Sequence, residues 1–193
     1  LYPITGASAE VNGRNAARVE PPGGYFRMTG VRAWEERGSD GGGIFRGSGG
    51  SMIEVRVEID GRFVYAMRAD GLIVATPTGS TAYALSCGGP IVHPSLSLIV
   101  LVPICPHTLS DRPIVVSADS IVEIELADRF EARAQVVCDG MVLSELVPGE
   151  RLRICRASIS ATLLHPPGHD YYRILRSKLH WGRGARAGQP PAG

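Results

Sequence analysis

The sequence has no C-x-x-C pair. Its four cysteines, Cys87, Cys105, Cys138 and Cys155, stand far apart, which argues against a zinc site built on paired thiols. Long hydrophobic runs are also missing. The most apolar stretch, Leu96 to Cys105, is interrupted by Ser97 and Pro103 and is too short to span a bilayer. No charged segment followed by an apolar core opens the chain, so no secretory leader is predicted. The thiols are therefore read as reduced and mostly buried, in a cytoplasmic protein. Charge of either sign is scarce in the balance: the formal net charge is +1, which implies no general attraction to nucleic acid or to an anionic membrane. There is no internal repeat. The chain opens at Leu1 rather than Met, as expected of a fragment or of a processed chain.

What remains is an ordinary globular composition, 44% hydrophobic and 20% charged over 193 residues, enough for one domain with a core. Residues 1–43 carry no periodic apolar pattern and are rich in glycine and proline, so they are expected to be irregular or disordered. From Met52 the pattern changes. Val55, Val57 and Ile59 alternate with Glu54, Arg56 and Glu58, as in a half-buried strand. Asp60-Gly61 then signals a tight hairpin, with Phe63, Tyr65 and Met67 on the return strand. Further strands are expected at Leu98–Val102, Ile114–Val116, Ile121–Leu126, Ala134–Val137, Met141–Leu146 and Leu152–Cys155, with a second hairpin at Asp139-Gly140. Many short strands and few helices predict a mainly β fold of stacked antiparallel β-sheets. A short helix is expected at 80–87 and a C-terminal helix at 170–180. In the latter Tyr172, Leu175 and Leu179 share a stripe read as packing surface. Residues 183–193 read as a disordered tail.

One stretch is organised differently. Asp70-Gly71 is a turn, Leu72 to Ala75 is an unbroken apolar run of strand length, and Thr76 to Ser80 is a loop of small hydroxyl residues around Pro77 and Gly79. A short helix is expected next, with Thr78 or Ser80 as its N-cap, stopped by Gly88-Gly89-Pro90. Four hydroxyls (Thr76, Thr78, Ser80, Thr81) and free backbone N–H groups would then face one spot, suited to a phosphate, a ribose or an amide edge. A well-capped surface helix after a buried strand explains the same residues without a ligand.

The segment Asp70-Gly-Leu-Ile-Val-Ala-Thr-Pro-Thr-Gly-Ser-Thr-Ala-Tyr83 resembles the signature of bacterial NAD kinases. The resemblance continues through Gly88-Gly-Pro-Ile91, His93-Pro94, Pro103-Ile-Cys-Pro-His-Thr-Leu109 and Arg112-Pro-Ile-Val-Val116. It resumes at Cys138-Asp-Gly140, His165-Pro-Pro-Gly-His-Asp-Tyr-Tyr172 and Lys178-Leu-His-Trp-Gly182, and so covers about Gly47 to Gly182. It implies the C-terminal, NAD-binding β-domain of such an enzyme, assigned to 44–182, with the N-terminal α/β domain missing.

By resemblance, the enzyme transfers the terminal phosphate of ATP, or polyphosphate, to the 2′-hydroxyl of the adenosine ribose of NAD, giving NADP. Mg²⁺ or another divalent cation accompanies ATP, and the protein is a homo-oligomer whose sites are completed by a neighbouring subunit. The resemblance makes Arg68, Asp70, Thr78, Thr81, Ala82, Tyr83, Ala84, Leu85 and Ser86 the NAD-binding residues. Asp70 would accept ribose or amide hydrogen bonds and Tyr83 would pack on a base. Taken without the resemblance, Asp70 is a turn carboxylate beside Gly71 and Tyr83 a core aromatic. No catalytic residue and no metal ligand is assigned. His165 and His169 have the spacing of helical metal ligands, but Pro166-Pro167-Gly168 between them forbids the helix.

Three departures from the family pattern bear on activity. The Gly-Gly-Asp-Gly motif that carries the catalytic base is absent, and Gly38-Ser-Asp-Gly41 imitates it too close to Met52 to be its counterpart, so Asp40 is read as a decoy. Asp40-Gly41 falls where the family has Asn followed by an acid, and Gly41 has no carboxylate to offer. Met141 stands where relatives often have a polar amide. The chain alone is therefore expected to be inactive. Two other readings stay open: a non-catalytic dinucleotide-binding module, and a lipid-kinase relative of the same two-domain plan, which the Thr-Pro-Thr-Gly-Ser-Thr-Ala-Tyr83 and His-Pro-Pro-Gly168 matches disfavour.

Overall fold

A computed structural model describes residues 17–18, 26–30, 35–38, 41–47, 52–127, 133–157, 164–165 and 167–181. The strands, in chain order, are β1 (Ala17–Arg18), β2 (Phe26–Gly30), β3 (Glu35–Gly38), β4 (Gly41–Arg46), β5 (Ile53–Ile59), β6 (Arg62–Ala69), β7 (Gly71–Ala75), β8 (Leu98–Ile104), β9 (Ile114–Ser117), β10 (Val122–Leu126), β11 (Ala134–Cys138), β12 (Met141–Leu146), β13 (Arg151–Arg156) and β14 (Leu164–His165). The helices are α1 (Tyr83–Ser86), preceded by a 3-10 turn at Thr78–Thr81, and α2 (Tyr171–Leu179).

Ten of the strands fall between Gly41 and Arg156, and with β2 and β3 they build two six-stranded antiparallel sheets. The first runs β3-β2-β13-β10-β5-β6 and the second β12-β11-β4-β7-β8-β9. The alternation read from the sequence is the reason they stack. In β5, Ile53, Val55 and Val57 are buried while Arg56 between them is exposed; β10 and β13 repeat the pattern with Val122, Ile124, Leu126, Leu152 and Ile154 inside. These side chains share one apolar cluster with Ile44, Leu72, Val74, Leu101 and Val136 of the second sheet. The sheets therefore close a core face to face, each fully buried aliphatic contributing about 1.5–3 kcal/mol relative to exposure. On the outer face of the first sheet Arg151 pairs with Glu125 at 2.6 Å and Arg56 with Glu58 at 3.0 Å, exposed pairs that suit a solvated surface and add little to stability.

β7 departs from alternation because it is buried on both sides. Leu72 and Val74 enter the core between the sheets. Ile73 and Ala75 point the other way, into a second cluster with Val100, Val102, Ile104, Ala84 and Val92. That second face is covered by α1 and the turn before it, which explains why Leu72 to Ala75 has no polar residue. Gly89 allows the close seating of this cover: a Cβ there would meet the Ala84 carbonyl oxygen at 2.8 Å and the Val102 Cγ2 at 2.9 Å.

The hairpins form where Asp-Gly predicts them. Asp60 and Gly61 have φ of 52° and 72°, Asp139 and Gly140 of 44° and 83°, the double positive φ of a tight primed turn. Within 1–43 the described residues depart from the irregular segment expected there: Ala17–Arg18, Phe26–Gly30, Glu35–Gly38 and the start of Gly41–Arg46 are strands. Gly41-Gly42-Gly43 has no side chains to show a period, and its extended form comes from the pairing of β4 with β7 and β11 on either side. Asp40 and residues 183–193 lie outside the described residues.

β1, β14 and α2 form a separate small unit. β1 and β14 pair antiparallel. α2 matches the expected helix to within a residue at each end. The Asp170 carboxylate caps it, accepting the Arg173 N–H at 3.1 Å, and His180 ends it with a φ of 54°. Leu175 is its buried residue, whereas Tyr172, expected on the same stripe, is exposed.

Candidate functional site

The buried strand β7 ends at Ala75 and delivers Thr76 into a loop that closes on itself. The Thr76 Oγ1 accepts the Gly79 N–H at 3.1 Å. Ser80 is fully buried; its hydroxyl donates to the Pro77 carbonyl at 2.6 Å, and its oxygen accepts the Val92 N–H at 3.0 Å. The Thr81 hydroxyl donates to the Thr78 carbonyl at 3.2 Å. These bonds correct the picture of four hydroxyls converging on a ligand. Thr76 and Ser80 are structural ties, and only Thr78 and Thr81 remain near the surface.

The N-cap expectation changes with it. The segment after Pro77 folds as a 3-10 turn, α1 starts only at Tyr83, and neither start carries a side-chain cap. The N–H groups of Ser80, Ala82 and Leu85 bond to the carbonyls of Pro77, Gly79 and Ala82. Only four residues long, α1 does not form an anion-binding helix end.

The loop instead forms one wall of a cleft of about 320 Å³. Gly79, Ala82, Tyr83 and Ala84 line it from the loop and α1; Ile73 and Ala75 from β7; Gly41, Gly42 and Phe45 from β4; Val137, Asp139 and Gly140 from β11 and its hairpin. Small residues make it deep, and the opposite wall is pinned: Gly41 N–H donates to the Asp139 carboxylate at 3.1 Å, and Asp139 N–H to the Gly41 carbonyl at 2.9 Å. The Tyr83 ring is 54% exposed and stacks on Phe45, with centroids 6.1 Å apart and planes at 24°.

Around Tyr83 the chemistry is polar but not acidic. Cys87, one turn further on, raises the phenol above its ordinary value by charge and by a hydrogen bond with its sulfur, and partial burial and the Asp70 carboxylate add to the rise. The phenol is thus a neutral donor at physiological pH. The Cys87 thiol is itself pushed up by burial. Asp70 sits at the β6–β7 corner, its main chain tied to Arg46 N–H and the Ile104 carbonyl and its carboxylate 3.3 Å from the Arg46 guanidinium. That contact leaves carboxylate lone pairs able to accept from a ligand.

Of the residues predicted to bind, Ala82, Tyr83 and Ala84 line the cleft. Arg68, Asp70, Thr78, Thr81, Leu85 and Ser86 are not among its lining residues, and Arg68 is exposed near the end of β6. Sequence reasoning missed Phe45, Gly42 and Asp139 as lining. The one available signal is Asp139-Gly140, which the sequence gives as a hairpin and as part of the resemblance but not as a lining of the site. Among the described residues no group of three or more His, Cys, Asp or Glu side chains is placed to hold a metal ion, and no helix is long and apolar enough to cross a membrane.

Comparison with known proteins agrees with this architecture. Residues 39–165 match the family described as the ATP-NAD kinase C-terminal domain. An NAD kinase of Thiobacillus denitrificans is 51% identical over 160 residues, covering 83% of this chain and 54% of the relative. One from Nitrosomonas eutropha is 50% identical over 138 residues, covering 72% and 46%. The chain thus spans about half the length of the curated relatives it matches. Among solved structures, a yeast NADH kinase complexed with NADH superimposes with a TM-score of 0.82 at 25% identity, covering 90% of this chain and 52% of that one. An NAD kinase from Archaeoglobus fulgidus in complex with ATP gives a TM-score of 0.68 at 28% identity, covering 86% and 60%.

Proposed function

Since the chain belongs to the ATP-NAD kinase C-terminal domain family, we propose that it is the dinucleotide-binding part of an NAD kinase, a transferase that phosphorylates the 2′-hydroxyl of the adenosine ribose of NAD. The cleft under Tyr83 carries this reading. Gly41, Gly42 and Ala75 in its lining leave room for a flat ligand close to the sheet, and the exposed aromatic ring of Tyr83 borders it. Tyr83 would pack on a base, the Thr81 oxygen would accept a hydrogen bond because its own proton is committed to Thr78, and Asp70 would accept from a ribose hydroxyl or an amide. Arg68 would face negative charge.

Phosphoryl transfer depends on positioning, charge neutralisation and a group to take the hydroxyl proton. This sequence contains no Gly-Gly-Asp-Gly, so the base would come from residues beyond this chain, and the chain alone would bind without turning over. ATP or polyphosphate would be the donor. Mg²⁺ or another divalent cation would be held by the phosphates of the donor and enter with them. A homo-oligomer in the cytoplasm, with a neighbouring subunit closing the site, completes the proposal.

The test is calorimetric titration of the chain with NAD, paired with an assay for NADP in the presence of ATP and Mg²⁺. Binding without NADP formation is expected. Turnover at an ordinary enzymatic rate would overturn the assignment of the base outside the chain, and absence of any binding would overturn the dinucleotide reading.

A further inference from the structure

Phe45 is the one large side chain in the cleft that comes from β4. It is half-buried and packs against the cluster of Ile73, Ala75, Val100, Val102 and Ile104, so its ring is held by the sheet. Tyr83 faces it from the other side and is more than half exposed. One ring is therefore a fixed wall and the other a movable one. Their separation is informative. At 6.1 Å and 24° the rings make an offset stack with each other. A planar ring placed between them needs contact of about 3.5 Å on each face, so about 7 Å between the two walls. Tyr83, the more exposed of the two rings, has to move outward to open that space.

We propose that Phe45 and Tyr83 form the two faces of one slot for a planar heteroaromatic ring, Phe45 being a second base-stacking residue. This rests on the dinucleotide reading above. The lining of the same cleft supports it, because Gly41 and Gly42 bring no side chain into it, and the mutual hydrogen bonds of Gly41 with Asp139 fix that part of its wall. The slot accepts one heterocycle of the dinucleotide, with the free pair of rings closing on each other when it leaves.

The proposal is tested by titrating the full chain with NAD, AMP and nicotinamide mononucleotide, using ribose 5-phosphate as a ring-free control. The variants are Phe45→Leu, which keeps apolar volume against Ile73 and Ala75 but offers no ring face, and Phe45→Trp. Phe45→Leu is expected to weaken NAD binding by roughly three- to tenfold, the worth of one aromatic stack. The loss should appear with one half-molecule and not the other, and ribose 5-phosphate should be unaffected. Phe45→Trp is expected to restore affinity and to add a tryptophan fluorescence signal that NAD quenches. Thermal unfolding of each variant confirms that the fold is kept. Equal NAD affinity for the native chain and Phe45→Leu, or no added quenching in Phe45→Trp, overturns the slot alone. If the native chain binds no NAD, the dinucleotide reading falls first and takes the slot with it.

Discussion

The Ser80 Oγ lies 3.0 Å from the Val92 amide nitrogen and accepts its hydrogen bond across twelve residues of chain. The oxygen is fully buried, and its proton goes to the Pro77 carbonyl. Ser80→Ala removes both bonds at once without filling the space. The variant is expected to lose about 1–3 kcal/mol of stability, the usual penalty for stranding buried polar groups. A fall in the urea midpoint with an unchanged slope is the measurement that checks it.

Gly43 and Leu72 come closer than any side chain allows. A Cβ on Gly43 would stand 2.0 Å from the Leu72 carbonyl oxygen, a backbone atom that cannot rotate away. Gly43→Ala is expected to cost about 2 kcal/mol or more, as overpacking does. Gly61→Ala is the informative comparison. Nothing lies within 4 Å of a Cβ there, and only its φ of 72° opposes the change, so a loss of about 1 kcal/mol is expected. Chemical denaturation of the two variants side by side gives the order.

The Arg46–Asp70 pair separates stability from binding. Both side chains are partly in water, at 46% and 28% exposure, so Arg46→Ala is expected to change stability by less than about 1 kcal/mol. Asp70→Asn keeps the shape and removes the charge. On the proposed reading it weakens NAD by about tenfold, the loss of one charge-assisted hydrogen bond. Equal NAD affinity for Asp70→Asn and the native chain counts against Asp70 as a ligand.

Acid should loosen α2 before it reaches the sheets. The Asp170 carboxyl is held below its ordinary value, chiefly by the Arg173 N–H it accepts. A depressed folded pKa contributes stability that is present above the unfolded value of about 3.9 and is lost as pH falls through the folded value. Amide exchange at Arg173 and Ile174 is therefore expected to accelerate below about pH 4 in excess of the normal acid dependence. In Asp170→Ala that extra step should be absent.

Tyr65 gives a prediction of the opposite sign. Its hydroxyl is buried and finds no hydrogen-bond partner among the described residues, and burial, with the Asp111 charge behind it, holds the phenol well above its ordinary value. Tyr65→Phe keeps the ring against the core and removes the stranded hydroxyl. It is expected to leave stability unchanged or raise it by about 1 kcal/mol, against the loss usual for a buried tyrosine in a bonded network. Thermal unfolding decides it.

The sheets were legible wherever side chains alternate. Val55 and Val57 against Arg56, or the two Asp-Gly turns, carry their structure locally, and α2 was placed to within a residue. β4 was not legible, because three consecutive glycines show no period and their conformation is imposed by β7 and β11. Half of the cleft was hidden for the same reason. Tyr83 and Ala82 belong to the loop that the eye follows from β7, but Phe45 and Asp139 reach the cleft only through strand pairings that no local pattern reveals. The hydroxyl-rich loop misled in a more specific way: Ser80 and Thr76 were read as facing a ligand when their oxygens are spent on the loop itself.

β7 has no face in water, and it ends where the loop below Tyr83 begins. A strand sealed on both sides exchanges its amides only with the rarest openings of the whole sheet. An incoming molecule would then meet a surface already set in place, with the Tyr83 ring the main part left to adjust. Little ordering would remain to be done on arrival, and differences among ligands would be felt mostly in how fast they leave.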